Sequence, residues 1–153
     1  MPTIKIQGFE DYEGLLRNLE QNADDIVKAG IYEGAKVVAD SVKRQINGIR
    51  FAGPSDYETR RREKQIKGLR ESMGISSMRN DNGFINVKIG FDGYNELGQA
   101  NAMIARIFES GTSFSSKQPF FKRAINQSRK ACKEKMVSEI DKRIAAIKEG
   151  ERG

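Results

Sequence analysis

Residues Glu109-Ser110-Gly111-Thr112-Ser113, then Gln118-Pro119-Phe120-Phe121, lead into a charged stretch whose apolar residues recur at helical spacing almost to the last residue. A turn of small residues, a short spacer and an aromatic pair on a proline fix where that helix begins. Pro119 suits a first helical turn, because its missing N–H leaves no hydrogen bond unmade there. Phe120 and Phe121 then pin that end of the helix against the body of the chain, with Glu109, Gly111, Thr112 and Ser113 shaping the turn before it. The stripe of the helix is Phe121, Ile125, Cys132, Met136, Ile140, Ile144 and Ile147. At 1.5 Å per residue it spans roughly 45 Å, more than a small domain needs. Part of it is therefore expected to project, from about residue 119 onward, or to pack on a neighbouring subunit. None of these side chains is set up for catalysis, and the construction suits a structural or assembly protein better than an enzyme.

The chain ahead of this anchor reads in short units. Thr3–Gln7 alternates, with Ile4 and Ile6 on one face, as a short strand that Gly8-Phe9 breaks. Tyr12, Leu15, Leu16 and Leu19 come next at helical spacing. Asn22 is a candidate cap for the main helix, with Asp24 and Asp25 in its first turn, where the helix dipole favours acids. Ile31, Ala35, Val38, Val42, Gln45 or Ile46, and Ile49 form one stripe, and Gly48 is a suitable stop. Gly30 and Gly34 fall inside this helix, each at a cost of about 1 kcal/mol relative to Ala. Their spacing puts both on one face, so close approach of another backbone is the expected compensation. Residues 51–66 read as a loop, opened by Gly53-Pro54-Ser55, whose second half becomes helical and orders on assembly. Met73 and Ile75 alternate with Ser72, Gly74 and Ser76; Ile85, Val87, Ile89 and Phe91 alternate with Asn86, Lys88 and Gly90. Between them Asn80-Asp81-Asn82-Gly83 carries the Asn-Gly step of a tight hairpin. Asn101 is placed to cap a short helix over Ala102–Glu109, although the same apolar run also fits a strand.

Composition narrows the function classes. The 153 residues fit one domain, 1–153, with a modest core. No run approaches the ~18 apolar residues of a membrane span, and the first residues lack the apolar core of a signal peptide. Cys132 is the only cysteine, so no disulfide forms within the chain and a reducing cytosol is expected. The absence of histidine removes the commonest general base and metal ligand. No phosphate-binding loop or dinucleotide fingerprint occurs. Catalytic residues, metal and cofactor are all expected to be absent, as is a small-molecule substrate; Glu33 and Asp40 read as solvated charge and Cys132 as a buried thiol.

The net charge of +6 is unevenly placed. Residues 1–30 hold three bases against six acids, a net of −3, whereas residues 58–70 hold six bases against two acids, a net of +4. Arg60, Arg61, Arg62, Lys64, Lys67 and Arg70 make up the basic part. Three readings remain for them: a solvated helix face, a contact with an acidic protein surface, or phosphate contact with DNA. Phe114, alone in a polar loop, is either tucked onto its own core or offered to a partner.

Taken together, these segments resemble the phage tail-component family typified by gene product ten of a lambda-like phage, whose members complete the tail or join head to tail. The shared pattern is a long amphipathic helix, here containing Ala35-Lys36-Val37-Val38-Ala39-Asp40, and then a Gly-Leu-Arg-x-Ser lead into a strand, here Gly68-Leu69-Arg70-Glu71-Ser72-Met73. A hairpin, the Glu109-Ser110-Gly111-Thr112-Ser113 turn and the Pro119-Phe120 helix start complete it, over residues 20 to 145. Two departures stand out: Ser116 takes the place of a proline often found before the Pro-Phe, and residues 55–66 look like a basic insertion.

The expected fold is α+β, a small and mainly antiparallel sheet packed against a long helix Asn22–Ile46, with a long C-terminal helix. The resemblance implies a virion protein, assembled in the bacterial cytoplasm into a ring of identical copies that meets other neck and tail proteins. Membrane contact is not expected. A nucleic-acid-binding protein using residues 60–70 is the alternative, with at most weak DNA contact expected under the first reading.

Overall fold

The computed structural model describes residues 9–50 and 54–152; the Thr3–Gln7 segment lies outside them. The architecture is α+β, in the order α1 (Phe9–Asn47), α2 (Asp56–Ser72), β1 (Met73–Ile75), β2 (Arg79–Asp81), β3 (Phe84–Asn86), β4 (Ile89–Phe91), α3 (Asn101–Ser110) and α4 (Phe120–Arg152).

The long N-terminal helix is one piece. Asn22 does not cap it: the helix runs through that residue, and the Asn22 amide donates back to the Asn18 carbonyl at 2.8 Å. A polar side chain satisfied within its own helix gives the backbone no reason to stop. The stop comes at Gly48, as expected, with Gly48 N–H donating to the Gln45 carbonyl in a closing turn.

The partner of α1 is chiefly α4, not the sheet, and α4 does not project alone. The two run antiparallel: Ser41 donates to the Ala124 carbonyl at 3.0 Å, and the Gln45 amide to Gln127 at 2.9 Å. Further out, Gly34 faces Met136 and Cys132, and Gly30 faces Ile140. The glycine pair does what its spacing implies. A Cβ on Gly34 would sit 2.5 Å from Met136 Cγ, and one on Gly30 would sit 2.8 Å from Ile140 Cγ1. Cys132 is half-buried in this seam, and desolvation pushes its thiol pKa up, so it is less thiolate than a free cysteine at neutral pH.

The strands form a hairpin in two registers. Around the turn, β2 pairs with β3, while at the base β1 pairs with β4. Asn82 and Gly83 both adopt positive φ, at 54° and 87°, as a two-residue primed turn demands. Between the two ladders the Ser76 N–H donates to the Lys88 carbonyl, but the return bond from the Lys88 N–H goes to the Ser76 hydroxyl, so a side chain replaces half of the regular pairing that the alternation through Val87 suggested. The core gathers where the elements converge: Val42 and Ile46 from the end of α1 and Ile49 just beyond it, Ile66 and Leu69 from α2, Ile104 and Phe108 from α3, and Phe120 and Ala124 from α4.

Two further helix starts differ from expectation. The helix in the basic segment begins at Asp56 and continues through Ser72, so residues 56–66 are helical throughout rather than in their second half. Ser55 caps it, in extended conformation, accepting from the Glu58 N–H at 3.2 Å. The apolar run after Ala100 forms the helix α3 rather than a strand, but its cap is Ala100 without a side-chain bond. Asn101 instead turns inward and donates to the Asp92 carbonyl.

The helix seam generates a prediction. Gly34→Val should cost about 1–3 kcal/mol through overpacking, lowering Tm by several degrees for a chain of this size. Gly150→Ala, with nothing near its Cβ position, should leave Tm unchanged or slightly raised. An unchanged Tm in Gly34→Val would show that α4 does not approach α1 there.

Candidate functional site

The turn that closes α3 and the proline that opens α4 form one device. Gly111 sits at φ 74°, with its N–H on the Ile107 carbonyl, and a Cβ there would fall 2.8 Å from the Lys117 backbone nitrogen. Only glycine fits that position without strain. Thr112 and Ser115 then bridge, the Thr112 hydroxyl accepts from the Phe114 N–H, and Ser113 is exposed at the turn. Gln118 N–H donates to the Phe108 carbonyl at 2.7 Å, returning the chain to α3.

Glu109 completes the anchor. Its carboxylate accepts from the Phe121 N–H at 2.8 Å and the Lys122 N–H at 3.0 Å. Those amides belong to the first turn of α4, where no intrahelical acceptor exists and the dipole favours a negative charge. A carboxylate from the previous helix therefore caps the next one. Phe120 is 1% exposed and meets Phe91 and Phe121 edge to face, with ring centroids 6.0 and 6.4 Å away. The base of the hairpin is thereby fastened to the start of α4.

The Gly-Leu-Arg lead into β1 also has a packing reason at each residue. A Cβ on Gly68 would lie 2.5 Å from Asn101 Oδ1, so glycine lets α2 and α3 approach. Leu69 is fully buried. Arg70 reaches back to Asn47 at the end of α1, at 2.9 Å, and so is tied to its own chain.

The basic run does not act as one patch. Helical periodicity sends Arg60, Lys64 and Lys67 to one side of α2 and Arg61 and Arg62 to another. Lys64 and Lys67 border a polar cleft with Glu96 and Tyr94. There Lys67 pairs with Glu96 at 2.8 Å; the shared hydrogen bond raises the Lys67 pKa and lowers that of Glu96. Both partners are solvated, so this pair adds little to stability.

Arg61 and Arg62 face a groove of about 640 Å³ that also takes in Arg50, Phe108 and Phe114. Arg62 lies over the Phe108 ring, 5.5 Å from its centroid. Phe114 is 98% exposed, so it is not tucked onto its own core. Arg50 was not anticipated. It is held by Gln118, whose amide donates to the Arg50 carbonyl and accepts from the Arg50 N–H, at 2.8 and 2.9 Å.

No family model, curated protein or solved structure matches the chain. Among the described residues there is no metal-ligating cluster of acids and cysteine, and no helix is long and apolar enough to cross a membrane. What the site offers is a rigid anchor carrying an exposed aromatic beside arginines.

Phe120→Ala should cost about 3–5 kcal/mol, and Glu109→Ala about 1 kcal/mol through loss of the cap. Thermal or urea unfolding measures both, and a wild-type midpoint for either variant would refute its role in the anchor.

Proposed function

We propose that this chain is a structural subunit of a phage or prophage-derived particle. It acts at the head–tail junction, where a ring of identical copies completes or terminates the tail and meets other neck and tail proteins. The observation that carries the reading is the anchor. The Glu-Ser-Gly-Thr-Ser turn and the Pro-Phe helix start fold into one device, in which Glu109 caps α4 while Phe120 fills the core. Gly68 and Leu69, from another part of the same pattern, sit at the α2–α3 contact and in the core.

The mechanism is burial of interface surface rather than chemistry. Phe114, Phe84, Tyr57 and Tyr94 are each more than 70% exposed, and apolar area of this kind gains free energy when a neighbour covers it. The particle, assembled in the host cytoplasm, is where such neighbours are met. Joining of this kind needs neither an enzyme's machinery nor a small-molecule substrate.

Nucleic-acid binding through residues 60–70 is the competing reading, since Arg61 and Arg62 share a groove with Arg50. Against it, α2 distributes its bases over separate faces, and Lys67 and Arg70 already have partners within the chain.

Replacing Arg60, Arg61, Arg62, Lys64 and Lys67 by Ser in a phage carrying this gene should give filled heads and unjoined tails, or tails of aberrant length. Duplex DNA binding by the purified protein should be weak. Tight binding that collapses steeply with salt would favour the nucleic-acid reading. Normal virions after deletion of the whole gene would remove the joining function. Portal, capsid and tail-tube genes are expected beside this one, and a lone locus would count against the proposal.

A further inference from the structure

The arginine groove has a chemical preference. Arg50, Arg61 and Arg62 line it against a single acid, Glu58, with Phe108 inside and Phe114 exposed beside it. None of the three arginines forms an ion pair among the described residues. An element presenting carboxylates next to an apolar residue would satisfy the guanidinium groups and cover the aromatic ring.

The same chain carries such an element. Glu20, Asp24 and Val27 recur at i, i+4 and i+7 on α1, so they share one helix face. Both acids are exposed and unpaired among the described residues, and Val27 is 38% exposed. Around them, residues 9–30 carry six acids against two bases, Arg17 and Lys28. The face and the groove cannot meet within one molecule. Glu20 and Asn47 lie on one uninterrupted helix, about 40 Å apart at 1.5 Å per residue, and Arg50 stands just beyond Asn47.

We propose that the Arg50–Arg61–Arg62 groove, with Phe114 beside it, receives the Glu20–Asp24–Val27 face of α1 from a second copy of this chain. The inference rests on the reading of the chain as a ring-forming subunit and names the contact that joins its copies. The contact is head to tail, and such interfaces close into rings when the rotation per copy permits. Its charge pairs are solvated at the edge, so added salt weakens it.

Sedimentation velocity of the full chain tests this, from micromolar to roughly millimolar concentration and at low and high salt. One variant carries Arg50→Glu and Arg61→Glu; the other carries Glu20→Lys and Asp24→Lys. Arg62 is spared because it covers Phe108. The wild type should form salt-sensitive oligomers, and each variant alone should be monomeric with wild-type circular dichroism and Tm. An equimolar mixture of the two should oligomerise again, because each reversed groove then meets a reversed face.

A wild type monomeric throughout, oligomers indifferent to both reversals, or no recovery on mixing would overturn the contact. So would a groove variant that loses duplex DNA binding while self-association persists. A monomeric wild type whose five-Ser substitution still blocks particle assembly would sink the contact and leave the assembly reading standing. Recovery on mixing, for a gene whose deletion leaves virions normal, would do the reverse.

Discussion

The seam of small residues between α1 and α4 fixes the position of everything else. Gly30 and Gly34 let the α4 backbone and its Met136 and Ile140 side chains come within contact of α1, at a spacing that any Cβ would prevent. At the core end, Ser41 and Ser128 are both buried and both donate to the Ala124 carbonyl, so the polar groups brought inside are satisfied. Glycine is a poor helix former, and its cost is offset only if the second helix occupies the space. The two helices therefore stabilise each other, and neither is expected to persist alone at this length and charge.

Because α4 is held along α1, its first turn becomes a fixed platform for the remaining elements. Phe120 enters the core between residues from α1, α2 and α3, and Glu109 reaches across from α3 to cap α4. Phe91 adds the hairpin through its edge-to-face contact with Phe120. The loop from Gly111 to Gln118 is short and fixed at both ends, through Gly111 to Ile107 and through Gln118 to Phe108 and Arg50. Such a loop can present Phe114 to solvent without losing its shape.

Much of this was legible in the chain, and the parts that were not have identifiable reasons. The Gly30/Gly34 pair, the Asn82-Gly83 turn, Gly48 and Pro119 each carry a local conformational demand that only one kind of structure meets. Asn22 misled because cap-forming residues also satisfy themselves inside helices, and which of the two occurs is set by the neighbouring turns rather than by the residue. The start of α2 was readable: Ser55 and Glu58 stand at capping-box spacing, a signal that outweighs the Gly-Pro before it. The split of the basic run is likewise a consequence of helical periodicity once the helix is granted. The Arg50–Gln118 clamp was not readable, since the two residues are 68 positions apart and their bonds run between one side chain and a backbone.

The proposed joining role rests on a long helix with an acidic face, an arginine groove on the body, and a short, doubly fastened loop carrying an exposed phenylalanine. Electron microscopy of the purified protein, alone and mixed with tail tubes from a particle encoded beside its gene, addresses that most directly. The account predicts rings of this protein seated at one end of each tube. Tubes whose ends stay bare at saturating protein, with the chain remaining in solution, would contradict it.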